Sequence, residues 1–171
     1  MRRGFGKRKI GHTDAKTENF METETKNQKL ASRRENRIAA MQFLYMQLVS
    51  GANTADDLAA FFESKENDRD FYKFAEELIA GVNANLGEID ALVSKFATNW
   101  SIDRIAKVDL SILRLAIFEL LKRDDIPPIV SINEAIDLAK TFSSAESKRF
   151  INGILDSVKS TLNRPLRTSN K

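Results

Sequence analysis

A chain of 171 residues with 42% hydrophobic and 30% charged side chains can bury one sizeable core, and no apolar run in it approaches the roughly 20 residues of a membrane span. The absence of cysteine excludes disulfides, thiolate catalysis and cysteine-based zinc sites, and it fits a cytoplasmic protein. The net charge of +3 hides its arrangement: residues 1–37 carry 11 Lys+Arg against 5 Asp+Glu, residues 38–139 carry 9 against 17, and residues 140–171 carry 7 against 2. Basic ends around an acidic middle imply contact with a polyanion and with a basic protein, or else solvated tails around an acidic domain.

Residues 1–30 read as a disordered, basic and polar extension, because Lys, Thr, Glu and Asn dominate and no apolar period runs through them. The basic start lacks the apolar stretch of a secretory signal. A helical domain is expected over 31–160, followed by a frayed basic tail over 161–171. Ser32 with Glu35 has the spacing of a capping box and marks a first helix whose apolar face is Ile38, Met41, Leu44, Tyr45 and Leu48, ended by Gly51. Arg33, Arg34 and Arg37 then sit at the positive end of a helix dipole, where cations are unfavourable, so an external polyanion is the simplest compensation.

Thr54 is placed to cap a second helix carrying Leu58, Phe61 and Phe62, and Asp68 a third with Phe71, Phe74, Ala75, Leu78, Ile79 and Val82 at helical spacing. Gly87 separates a fourth that buries Ile89, Leu92, Val93 and Phe96, and Trp100–Arg104 is a connector. The fifth helix, Ile105 to Arg123, has little polar face and is expected at the centre. Pro127 and Pro128 interrupt the pattern before a second capping box, Ser131 with Glu134, opens a sixth helix. Ser144 caps the last, which turns Phe150, Ile151, Ile154, Leu155 and Val158 inward. The fold class is all-α, a compact bundle of about seven helices in two helical subdomains.

Enzyme chemistry finds no anchor. The single histidine, His12, lies in the extension, no glycine-rich phosphate loop is present, and the carboxylate pairs Asp56-Asp57, Glu76-Glu77 and Asp124-Asp125 are neighbours that a helix points about 100° apart. No catalytic residue, metal site or cofactor is therefore assigned, and the chain reads as a binder.

Four segments carry a resemblance: Arg33-Arg34-Glu35-Asn36-Arg37 with Gln42-Phe43-Leu44-Tyr45; Leu113 through Leu120; Ile132 through Lys140; and Lys148 through Asp156. In order and spacing, over about residues 31 to 160, they resemble the NusB family of bacterial transcription antitermination factors. The resemblance implies an RNA-binding adaptor that pairs with the small-subunit ribosomal protein NusE, holds the single-stranded boxA element of nascent RNA, acts indirectly on RNA polymerase with other Nus factors, and aids ribosomal RNA transcription and maturation. It leaves monomer and homodimer both open.

By this resemblance Arg33, Arg34 and Arg37 fall on the family's arginine-rich motif and are expected RNA contacts, with Glu35 standing where the family often has another arginine. Tyr45 and Phe150 match aromatics near the RNA surface, although their spacing also suits burial. Glu146 falls on an acidic position that tunes RNA affinity, and Lys148, Arg149 and Asn152 are further RNA candidates. Gly153 is read as permitting close helix packing. Asp109, Arg114 and Glu119 on the fifth helix are the expected contacts with NusE, with intramolecular pairing as the alternative. Two other functions stay open: an RNA-binding domain related to ribosomal RNA cytosine methyltransferases, which carry a cofactor-binding domain downstream that is not expected beyond Lys171, and a protein-only scaffold.

Overall fold

The computed structural model describes residues 15–163 and Pro165, with side chains from Thr23 onward. Its seven α-helices are α1 (Ala15–Ser50), α2 (Ala55–Glu63), α3 (Lys73–Ala84), α4 (Leu86–Phe96), α5 (Lys107–Lys122), α6 (Pro128–Phe142) and α7 (Ala145–Lys159), and no strand occurs among the described residues. Residues up to Ser32 form one unit and those from Arg33 onward another. His12 and residues 1–14, like Arg164 and residues 166–171, lie outside the described residues.

The first helix begins at Ala15 and not at Ser32. Residues 23–31 are exposed on every side, so this stretch has no buried face and its sequence carries no apolar period. It nevertheless holds Glu24, Lys26, Gln28, Lys29, Leu30 and Ala31, which favour helix, and a helix already nucleated downstream extends through such residues at little cost. Ser32 and Glu35 are consequently interior residues of a helix, with no capping box between them. Gly51 ends α1 at a φ of 74°, a left-handed conformation that glycine adopts without penalty.

Thr54 caps α2 as its sequence indicates, with a full capping box to Asp57. Asp68 caps a short 3-10 turn, Arg69–Tyr72, that leads into α3. Asn85 alone parts α3 from α4, and Gly87 falls inside the first turn of α4. Pro127 and Pro128 start α6, three residues ahead of the Ser131–Glu134 box, because proline's fixed φ and missing donor suit a first helical turn. Ser144 caps α7 through its hydroxyl, which accepts from the Ser147 N–H.

Helix α5 is the shared element of the domain. It packs against α3, α4, α6 and α7, and residues from Leu110 to Leu120 are buried apart from Arg114. Phe43, Phe61, Phe62 and Tyr72 join α1, α2 and the 3-10 turn through ring contacts of 5.1–5.3 Å. Gly81 of α3 lies against the Phe118 ring of α5, so close that an added Cβ would stand 2.0 Å from a ring carbon.

Candidate nucleic-acid interface

One turn of α1, residues 33–37, divides its side chains between surface and interior. Asn36 is buried, and its amide closes the start of α3: Nδ2 donates to the Phe71 carbonyl at 3.0 Å and Oδ1 accepts from the Ala75 N–H at 2.9 Å. Helix α3 has no side-chain cap of its own, so this long-range amide takes that place. Arg37 is 4% exposed and forks onto Glu119 of α5, with Nε at 2.7 Å and Nη2 at 3.1 Å. Glu119 also accepts from the Ser131 hydroxyl at 2.6 Å, and Glu134 stands 3.8 Å from Arg37 Nη1. Ser131 and Glu134 thus serve a buried ion-pair network that ties α1, α5 and α6 together.

Arg33 and Arg34 face outward. Arg33 lies with its guanidinium 5.2 Å from the Phe74 ring centre and Nη2 3.7 Å from Asp125, and the guanidinium groups of Arg37 and Arg123 approach the same ring at 5.4 and 5.2 Å. Three cations around one ring are held apart by carboxylates. Arg123 forks onto Asp125 at 2.7 and 3.0 Å and reaches Glu77 at 2.9 Å. The hydrogen bond from Arg123 holds the Asp125 carboxyl below the usual carboxylate range, with the charges of Arg123 and Arg33 adding to it.

Arg34 leans the other way, with Nη1 3.7 Å from Asp137 of α6. The Asp137 carboxyl is also held below its ordinary range, first by a 2.7 Å hydrogen bond from Lys140 and then by the charges of Lys140, Arg34 and Lys148. The arginine segment, α6 and the first turn of α7 therefore form one cationic neighbourhood. Lys140 is a member that sequence reasoning passed over, although it closes one of the segments that carry the family resemblance.

The remaining α7 residues line a second feature. Lys148 and Arg149 are exposed, and Phe150 is half-buried between two shallow grooves. One, of about 270 Å³, is bounded by Trp100, Arg104, Asp109, Glu146 and Phe150, and the other, of about 260 Å³, by Phe96, Asn99, Trp100, Arg149 and Gly153. Trp100 is 54% exposed. Asn152 is exposed and donates to Asp156 at 3.0 Å along the helix. A Cβ at Gly153 would meet nothing within 4 Å, so this glycine does not serve helix packing and instead leaves its groove open. Tyr45 is 42% exposed, at the surface of α1.

Three expectations about charged residues change as well. Arg37 is a buried ion-pair residue and not an exposed RNA contact. Arg33 and Arg34 also do not stand at the positive end of a helix dipole, because α1 already runs from Ala15 and neither lies in its first turn. Of the α5 charges expected to face a partner, Glu119 is buried on Arg37, Asp109 is buried and accepts from the Ser143 hydroxyl, and Arg114 forks onto Asp90 at 2.9 and 2.8 Å. All three make intramolecular pairs, which is where charges on a buried central helix must find their compensation.

An all-helical fold with α5 at its centre, and a cationic surface assembled from α1, α6 and α7, define the class: a small helical bundle with a cationic face. The profile of the NusB family matches residues 34–160, and the chain belongs to that family. Transcription antitermination protein NusB of Myxococcus xanthus is 45% identical over 140 residues, covering 80% of this chain and 100% of that protein. The protein of the same description from Geobacter sulfurreducens is 45% identical over 134 residues, covering 78% and 97%. Among solved structures, NusB of T. maritima superposes with a TM-score of 0.69 at 35% identity, covering 75% of this chain and 91% of that one. A structure of antitermination factors NusB and NusE in complex with dsRNA gives a TM-score of 0.70 at 26% identity, covering 77% and 98%.

Proposed function

We propose that this chain is a transcription antitermination factor that binds boxA-type nascent RNA together with NusE, and that it works in the cytoplasm as a binder with no catalytic step of its own. The observation that carries the reading is the cationic neighbourhood of Arg33, Arg34, Lys140 and Lys148 on a fold whose relatives are named transcription antitermination proteins and include a solved complex of NusB and NusE with dsRNA. Guanidinium groups suit both phosphate forks and stacking on unpaired bases. Trp100 and Phe150 beside Arg149 supply aromatic surface for the same purpose.

Residues 34–160 are the working domain, and the segment before it is an addition to the family unit. Asp109 and Glu119 are buried and are assigned no contact with NusE, whereas the half-buried Arg114 is kept as a contact residue. The direct test is read-through of a terminator in a purified transcription system with NusE and the other Nus factors, comparing templates with an intact and a scrambled boxA leader. Read-through that needs both this chain and intact boxA supports the reading, and read-through indifferent to either overturns it.

A further inference from the structure

Asp137 stands where three helices bring cations together. Its carboxylate accepts from Lys140 Nζ at 2.7 Å within α6 and lies 3.7 Å from Arg34 Nη1 of α1. The positive charge of Lys148 in α7 acts on the same carboxylate. All are open to solvent, the side chains of Arg34, Asp137 and Lys140 being 50%, 35% and 53% exposed. One anion among three cations leaves an excess of two positive charges. At 3.7 Å the Arg34 contact is a charge contact without a hydrogen bond, so its five N–H donors remain available to a ligand at this face, as do further donors of the Lys140 ammonium. Arg33 differs, because its guanidinium lies against the Phe74 ring, 5.2 Å from its centre.

We propose that Arg34, Lys140 and Lys148 form a seat for an RNA backbone phosphate, and that Asp137 tunes it by competing with that phosphate for the same donors. The proposal rests on the RNA-binding reading above and adds to it a contact residue, Lys140, and an internal competitor. Two opposite effects of the carboxylate must be weighed. It gathers the cations in the free protein, but ordering mobile, exposed side chains through one surface pair is a weak effect. Repulsion from a phosphate seated on the same donors acts in full on the bound state, so competition prevails. A phosphate seat also reads no sequence, and its contribution is the same for every RNA.

The test is fluorescence anisotropy of the full chain with a boxA-like RNA and a scrambled RNA over a range of salt concentrations, for the wild type, Asp137→Asn, Lys140→Gln and the double variant Arg34→Ala with Asp137→Asn, each checked by thermal melt. Asp137→Asn is expected to bind both RNAs about three- to tenfold more tightly at low salt, the gain shrinking as salt rises. Placing Arg34→Ala on that background should remove most of the gain. Lys140→Gln should weaken both RNAs alike and reduce the slope of log K against log salt by about one. Asp137→Asn binding no tighter than the wild type overturns the competition, and an unchanged salt slope in Lys140→Gln overturns the seat, while wild-type binding to RNA leaves the broader reading standing in either case. A wild type that binds neither RNA ends that reading and the proposal with it.

Discussion

Truncating Arg37 to alanine removes the guanidinium that lies between Glu119 and Glu134 and leaves the Glu119 carboxylate, 1% exposed, without its forked partner. Breaking a buried pair from one side costs about 3–5 kcal/mol, a large share of the 5–15 kcal/mol that holds a typical domain together. For a domain of this size each kcal/mol lowers the melting temperature by roughly 3 °C, so Arg37→Ala should melt about 10–15 °C below the wild type. Urea denaturation at pH 7 followed by circular dichroism should show a matching fall in the midpoint at constant m-value. Replacing both partners by apolar residues, Arg37→Met with Glu119→Leu, should recover much of the loss, since no buried charge is then stranded. A loss below about 1 kcal/mol, combined with RNA binding weakened tenfold or more, would show that Arg37 reaches RNA and that the buried pairing is not its role.

Arg33→Ala with Arg34→Ala should do the opposite, weakening RNA binding by about 1–3 kcal/mol with a melt nearly unchanged, because both side chains are partly exposed and their ion pairs are long; a melt lowered as far as that of Arg37→Ala would contradict the assignment. Two glycines should respond with opposite sign. Gly81→Ala forces the buried Phe118 ring to move and should cost about 1–3 kcal/mol, whereas Gly153→Ala meets open space in a helix and should stabilise by up to about 1 kcal/mol, as differential scanning calorimetry would show. The carboxyl of Asp125 is held below its unfolded value of 3.8, so its stabilisation is present in full above that pH and is lost as pH falls through the folded value. The urea midpoint of the wild type should therefore fall more steeply below about pH 4 than that of Asp125→Asn, and parallel curves would remove Asp125 from the account.

What the sequence reveals is what neighbours along the chain decide. Thr54 and Ser144 are legible as caps because their hydroxyls bond within three residues, and α5 is legible as central because no polar face interrupts it. The start of α1 is not, since its few apolar residues, Phe20, Met21 and Leu30, set no period to detect. Ser131 and Glu134 imitate a capping box while their side chains serve Glu119 and Arg37, and two prolines that look like a break are the first turn of α6. The arginine motif is visible as a motif, but the division of labour inside it depends on partners far away: Asn36 caps a helix 39 residues on, and Arg37 finds its carboxylate 82 residues away. The surface cluster around Asp137 is likewise assembled from three helices and has no local signature.

The central claim is that this chain holds boxA RNA jointly with NusE. Its most direct test is the affinity of the full chain for a boxA-like single-stranded RNA, with scrambled and double-stranded RNAs as controls, in the presence and absence of purified NusE at physiological salt. Selective binding to boxA that NusE strengthens is the predicted result. Equal affinity for all three RNAs, unchanged by NusE, would contradict the account and show that the fold serves another purpose.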